Sequence, residues 1–188
     1  DLLINALPNH LHVKGTTAGL KAGYHVDSEK PSGRTVKQFD RMATAAREAR
    51  RKLLPFQNSR FFAFFRKLRE VLDSGALGEL LHARMVWGGF SRRWDWQTLQ
   101  KYDAGNLRNT GPHPVDQAVV LLDGKTPKVC CQMKSVQPLG GDAEDYCNVT
   151  LYGKHLPTIE ILLSNFLAYP AGDLINLQCT CGGLAGGP

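Results

Sequence analysis

The chain contains no run of the roughly eighteen apolar residues that a membrane span requires, and no charged start leading into an apolar stretch of the secretory type. A soluble cytoplasmic protein with no membrane partner is therefore expected. Cysteine is sparse and irregularly spaced: five thiols, at Cys130-Cys131, Cys147 and Cys179-Thr180-Cys181, fit neither a disulfide framework nor a zinc spacing. They read as buried free thiols, and no metal centre is expected. Aromatic residues are missing from the densest basic cluster, Arg47-Glu48-Ala49-Arg50-Arg51-Lys52, so it offers no surface on which bases stack. The formal charge of +6 thus does not imply nucleic acid as a partner. The cluster closes an Ala-rich helical run, where cations complement the helix dipole. It reads as a solvated helix end, with a phosphate-binding patch as the alternative.

What is present is an ordinary globular composition, 188 residues of which 43% are hydrophobic, enough for one large core or two small ones. Leu2-Leu3-Ile4-Asn5-Ala6-Leu7 has the character of a strand buried on both faces of a parallel sheet. Pro8-Asn9 breaks it, and a helix follows over His10 to Ala22, with Gly23 as its left-handed cap. Tyr24 to Ser28 is the next strand, which completes a right-handed βαβ unit. One such unit cannot cover both faces of its own sheet, so further strands ahead of Asp1 are expected.

The stretch Tyr24-His25-Val26-Asp27-Ser28-Glu29-Lys30-Pro31 carries the most chemistry. Pro31 fixes its own φ and holds Lys30 extended, so the ammonium is aimed at the crevice above the strand ends. Glu29, as its neighbour, points the other way. A second helix is expected over Val36 to Leu53, with Phe39, Met42, Ala43, Ala46 and Ala49 inward, then a short strand or loop over Leu54 to Asn58. Phe61, Phe62, Phe64, Phe65, Leu68, Val71 and Leu72 form an amphipathic stripe ending at Asp73-Ser74-Gly75, read as core.

From Gly78 the pattern becomes strand-like. Glu79 to Phe90 alternates Leu80, His82, Arg84 and Val86 against Leu81, Ala83, Met85 and Trp87. The loop Arg92-Arg93-Trp94-Asp95-Trp96 offers a sugar platform or anion clamp, with surface packing as the alternative. In Asn109-Thr110-Gly111-Pro112-His113-Pro114-Val115-Asp116-Gln117 the two prolines fit only a first helical turn. This puts His113 at a helix N-terminus, where imidazolium is disfavoured and a neutral general base is favoured; a simple capping role is the alternative. Antiparallel strands are expected over Lys128 to Gln137, Glu144 to Tyr152, Thr158 to Asn165 and Asp173 to Thr180. The open Gly-rich tail from Cys181 suggests that the sheet continues in residues beyond it.

Five motifs in order, Ala6-Leu7-Pro8-Asn9-His10-Leu11-His12, Glu29-Lys30-Pro31, Gln57-Asn58-Ser59-Arg60-Phe61, Gly75-Ala76-Leu77-Gly78 and Thr110 to Asp116, resemble the Gfo/Idh/MocA family of NAD(P)-dependent sugar and cyclitol dehydrogenases. The resemblance covers nearly the whole chain. It implies an α/β plus α+β architecture: the C-terminal part of a Rossmann domain at 1–58, then at 59–188 an open, mainly antiparallel sheet with helices on one face. It also implies association of copies through that sheet. By resemblance, Pro8, Asn9 and His12 line the cofactor cleft, and Glu29 and Pro31 flank the nicotinamide of NAD or NADP. Lys30 is then the catalytic lysine, and His113 the acid–base residue. Asn109 stands where the family has an aspartate, and Arg93, Trp94, Asn109 and His113 face a sugar or polyol substrate. An asparagine there cannot hold negative charge or accept a proton. No G-x-G-x-x-G occurs in the chain, so weak or no NAD binding is expected of this polypeptide by itself.

Overall fold

The computed structural model describes residues 1–91, 93–136, 140–169 and 172–187. Strands β1 (Leu2–Asn5), β2 (His25–Ser28) and β3 (Leu53–Pro55) form a three-stranded parallel sheet in that order. Helices α1 (His12–Lys21) and α2 (Val36–Ala49) supply the crossovers. Val26 of β2 and Leu20 of α1 are fully buried between them, with Ala45 and Ala46 of α2. The approach is close at Gly19, where a Cβ would stand 3.0 Å from Val26 Cγ2. A Cβ at 19 would require the Val26 side chain to give by a few tenths of an ångström.

The described residues cover one face of this sheet. Ile4 is 69% exposed and Leu2 56%, because α1 and α2 lie against the opposite face. Helix α2 also ends earlier than expected. Arg50 takes the left-handed conformation (φ 53°) and caps the helix after Ala49, which frees Leu53 to pair beside Val26 in β3. Phe39, expected inward, is exposed, and Ala45 takes its place in the core.

The expected boundary at 58–59 falls on a short 3-10 helix, Asn58–Phe61. Helix α3 (Ala63–Asp73) follows and buries Phe65 and Leu68, but Phe61 is 74% exposed, so only part of the phenylalanine stripe is core. The remaining strands are β4 (Leu80–Gly88), β5 (Lys128–Lys134), β6 (Tyr146–Tyr152), β7 (Thr158–Ser164), β8 (Ile175–Cys179) and β9 (Gly182–Gly186). They form one open sheet in the order β5-β6-β7-β4-β8-β9, antiparallel except where β4 runs parallel to β7. Gln137, the expected end of β5, lies outside the described residues. Strand β9 corrects the reading of the tail as open: Gly182–Gly186 doubles back on β8.

Alternation organises the large core. Ala83 and Met85, Cys147, Val149 and Leu151, Ile159, Ile161 and Leu163, and Ile175 and Leu177 face inward. There they meet Phe65 and Leu68 of α3, and Ala118, Leu121 and Leu122 at α5 (Pro112–Leu121). Each fully buried Ile or Leu contributes about 1.5–3 kcal/mol, and β7 supplies three of them, Ile159, Ile161 and Leu163. The outer face carries His82, Arg84, Asn148, Thr150, Glu160 and Gln178. Leu81 leaves the expected alternation and is exposed, because the register shifts between Leu80 and His82.

Candidate active site

The carboxyl ends of β1 and β2 bring two loops together. From β1 the chain passes Asn5 and Pro8 into a 3-10 turn, Asn9–Leu11, and then α1. Asn5 Nδ2 donates to His12 O and to Thr16 Oγ1, both at 2.9 Å, and Thr16 Oγ1 donates to Ser28 Oγ at 3.1 Å. This buried ladder fixes where β2 ends. His12, expected to line a cleft, is 1% exposed, with Nδ1 2.8 Å from Pro31 O and Nε2 2.5 Å from Leu7 O. It holds the loops after β1 and β2 together from beneath.

Above this tie lies Lys30. The Lys30-Pro31 peptide is cis. Lys30 Nζ donates to the carbonyl of Asn109 at 2.6 Å, and Glu29 Oε2 accepts from Lys30 N at 3.3 Å. Asn109 closes α4 (Asn106–Asn109), three residues before α5 begins. The residue is 7% exposed and its amide is engaged at both ends: Oδ1 accepts from Asn9 Nδ2 at 2.9 Å, and Nδ2 donates to Gln97 O at 3.1 Å. Asn9 Nδ2 also donates to Asp103 O at 3.0 Å. Asn9 and Asn109 thus link the two halves of the molecule by amide hydrogen bonds.

The prolines of α5 occupy its first turn, as their missing N–H groups dictate. His113 lies stacked on Trp87, ring centroids 5.6 Å apart and planes 17° from parallel. His113 Nδ1 is buried and has no hydrogen-bond partner among the described residues. Its pKa lies below the usual 6.5, first because burial disfavours the cation and second because Lys30 is positive and near; Glu29 and Asp116 oppose this. The direction agrees with the sequence reading, but its largest cause is desolvation. Lys30 lies below its usual 10.5, again through burial first, with Glu29 opposing and Arg93 assisting.

Of the loop expected to clamp a substrate, Arg92 lies outside the described residues. Arg93 pairs with Asp95 at 3.1 Å and is near enough to act on Lys30. Trp94 is 82% exposed. A small polar cavity of about 20 Å³, room for one water, opens beside Arg93, Gln97, Asn106, Asn109 and Glu144. Gly105 (φ 116°) bounds this corner because the Glu144 carboxylate lies where its Cβ would be. Pro8, Glu29 and Pro31 are half-buried at the strand ends, next to Lys30.

Sequence reasoning missed Trp87, Asp103 and Gln97. Trp87 was legible in part, since the alternation of β4 places it with Ala83 and Met85. Gln97 and Asp103 contribute only backbone carbonyls to the asparagine links, and a carbonyl leaves no trace in a sequence.

Residues 65–185 match the model of the GFO/IDH/MocA C-terminal domain. The chain is 27% identical over 157 residues to the scyllo-inositol 2-dehydrogenase (NADP(+)) IolW of Bacillus subtilis, covering 82% of this chain and 43% of that protein. It is 29% identical over 153 residues to the uncharacterised oxidoreductase YdgJ of Escherichia coli, covering 80% and 44%. The fold matches an NAD-binding protein from Listeria innocua with a TM-score of 0.89 at 23% identity, covering 96% of this chain and 51% of that one. The chain spans less than half the length of these two relatives.

Proposed function

Because the chain belongs to the GFO/IDH/MocA family, we propose that it carries the acid–base end of an NAD(P)-dependent oxidoreductase acting on a secondary alcohol of a sugar, polyol or cyclitol. The observation that supports this most is the shared position of Lys30 and His113: an ammonium and a stacked imidazole, each with its pKa lowered by burial, at one corner between the two sheets. With Nδ1 buried, His113 Nε2 is the nitrogen that takes the hydroxyl proton in oxidation and returns it in reduction. Lys30 Nζ holds the oxygen as negative charge develops on it. Pro8, Glu29 and Pro31, at the carboxyl ends of parallel strands, fit the nicotinamide end of a dinucleotide. The bound nicotinamide would supply or accept the hydride. Self-association belongs to the polar outer face of the six-stranded sheet.

A second reading, a sugar-binding or assembly protein without turnover, draws on the committed amide of Asn109. Assaying the full-length protein against a polyol panel, with nicotinamide fluorescence to follow binding, separates the two. Lys30→Met is expected to lower kcat by about 10²-fold or more while cofactor still binds. Unchanged activity in both Lys30→Met and His113→Ala would exclude the catalytic reading.

A further inference from the structure

Three of the five cysteines are exposed, Cys130, Cys131 and Cys181, which corrects the reading of all five as buried thiols. One pair stands apart. Cys131 Sγ on β5 lies 3.5 Å from Cys147 Sγ on β6. Cys131 opposes Val149, and Met133 opposes Cys147, so the two thiols are diagonal neighbours on one face of an antiparallel pair. Cys130 is adjacent in sequence but alternates to the other face. Cys147 is fully buried, whereas all seven residues of β5 are exposed, and among the described residues β5 is an edge strand paired with β6.

We propose that Cys131 and Cys147 form a thiol–disulfide exchange site for low-molecular-weight disulfides of the glutathione type, with Cys131 as the entry thiol and Cys147 as the resolving thiol. Diagonal pairs begin wide for a disulfide, and a bond of about 2.05 Å needs the sulfurs to close by roughly 1.5 Å. An edge strand held on one side can make that shift; a central strand cannot.

The chemistry balances in two exchanges. The Cys131 thiolate attacks one sulfur of the disulfide, a mixed disulfide forms, and one glutathione thiolate leaves with the electron pair. Cys147 gives its proton to solvent and attacks the Cys131 sulfur. The protein disulfide forms, and the second glutathione thiolate departs. Two protein thiols are oxidised and one small disulfide is reduced to two thiols. Burial, and then contact with Cys131, push the Cys147 thiol up to about 12, so Cys147 reacts second and the closing step quickens as pH rises.

The test is incubation of the purified protein with oxidised glutathione, alkylation of the remaining thiols, proteolysis after lysine and arginine, and mass spectrometry. The peptide Val129–Lys134 is expected joined to the peptide holding Cys147, two hydrogens lighter than the sum, in wild type and in Cys130→Ser. It is expected to be absent in Cys131→Ser, an exposed and conservative change. A cross-link that persists in Cys131→Ser, or a reaction that stops at a glutathione adduct on Cys131, overturns the proposal.

Discussion

An imidazole laid flat against an indole, with an ammonium close by, owes its basicity to its neighbours. His113 and Lys30 both have pKa values lowered by folding, so the unfolded chain binds protons more readily just below 6.5 and just below 10.5. Stability therefore rises with pH through each window. Activity of the full-length enzyme is expected to be bell-shaped. Its acid limb, from protonation of His113, should fall below pH 6.5, and its alkaline limb, from loss of the Lys30 ammonium, below 10.5; kcat/KM against pH measures both. Asn109 shows what a residue's identity leaves unsaid. The sequence presents a side chain able to reach a sugar hydroxyl, but the fold engages both ends of its amide. Asn109→Asp would set a buried carboxylate oxygen against Gln97 O, and is expected to cost about 1–3 kcal/mol in urea unfolding.

Among the elements, legibility followed the hydrophobic period. Strands β4, β6 and β7 were readable because inward Ala, Met, Val, Ile and Leu alternate with polar residues. Strand β9 was not: Gly182, Gly183 and Gly186 carry no strand preference, and only pairing with β8 makes the segment extended. The end of α2 was hidden for a related reason. Arg50-Arg51-Lys52 continue a helical composition, but one left-handed arginine stops the helix. Thermal and urea unfolding can test this contrast between elements. Ile161→Ala, at a fully buried site on β7, is expected to cost about 2–5 kcal/mol. Ile4→Thr, on the face of β1 that the described residues leave uncovered, is expected to change the stability of this 188-residue chain by no more than about 0.5 kcal/mol.

For the molecule as a whole, the two sheets meet through polar links. Besides the Asn9–Asn109 contact, Arg34 Nε reaches Asp103 Oδ1 at 3.2 Å, with the arginine side chain 53% exposed. In water such a pair contributes little, so Arg34→Ala is expected to lower stability by less than about 1 kcal/mol in urea. Among the described residues no helix is long and apolar enough to cross a membrane. The central position of β4 also governs assembly in time. On a ribosome β4 emerges long before β7 and β8, the two strands that flank it, and several seconds of translation separate them at usual rates. Through that interval β4 displays two unpaired edges and its Ala83-Met85 face to the surrounding solution, an invitation to chaperone capture. Codon changes that slow synthesis between Gly88 and Thr158 are therefore expected to lower the yield of native protein more than equal delays placed earlier.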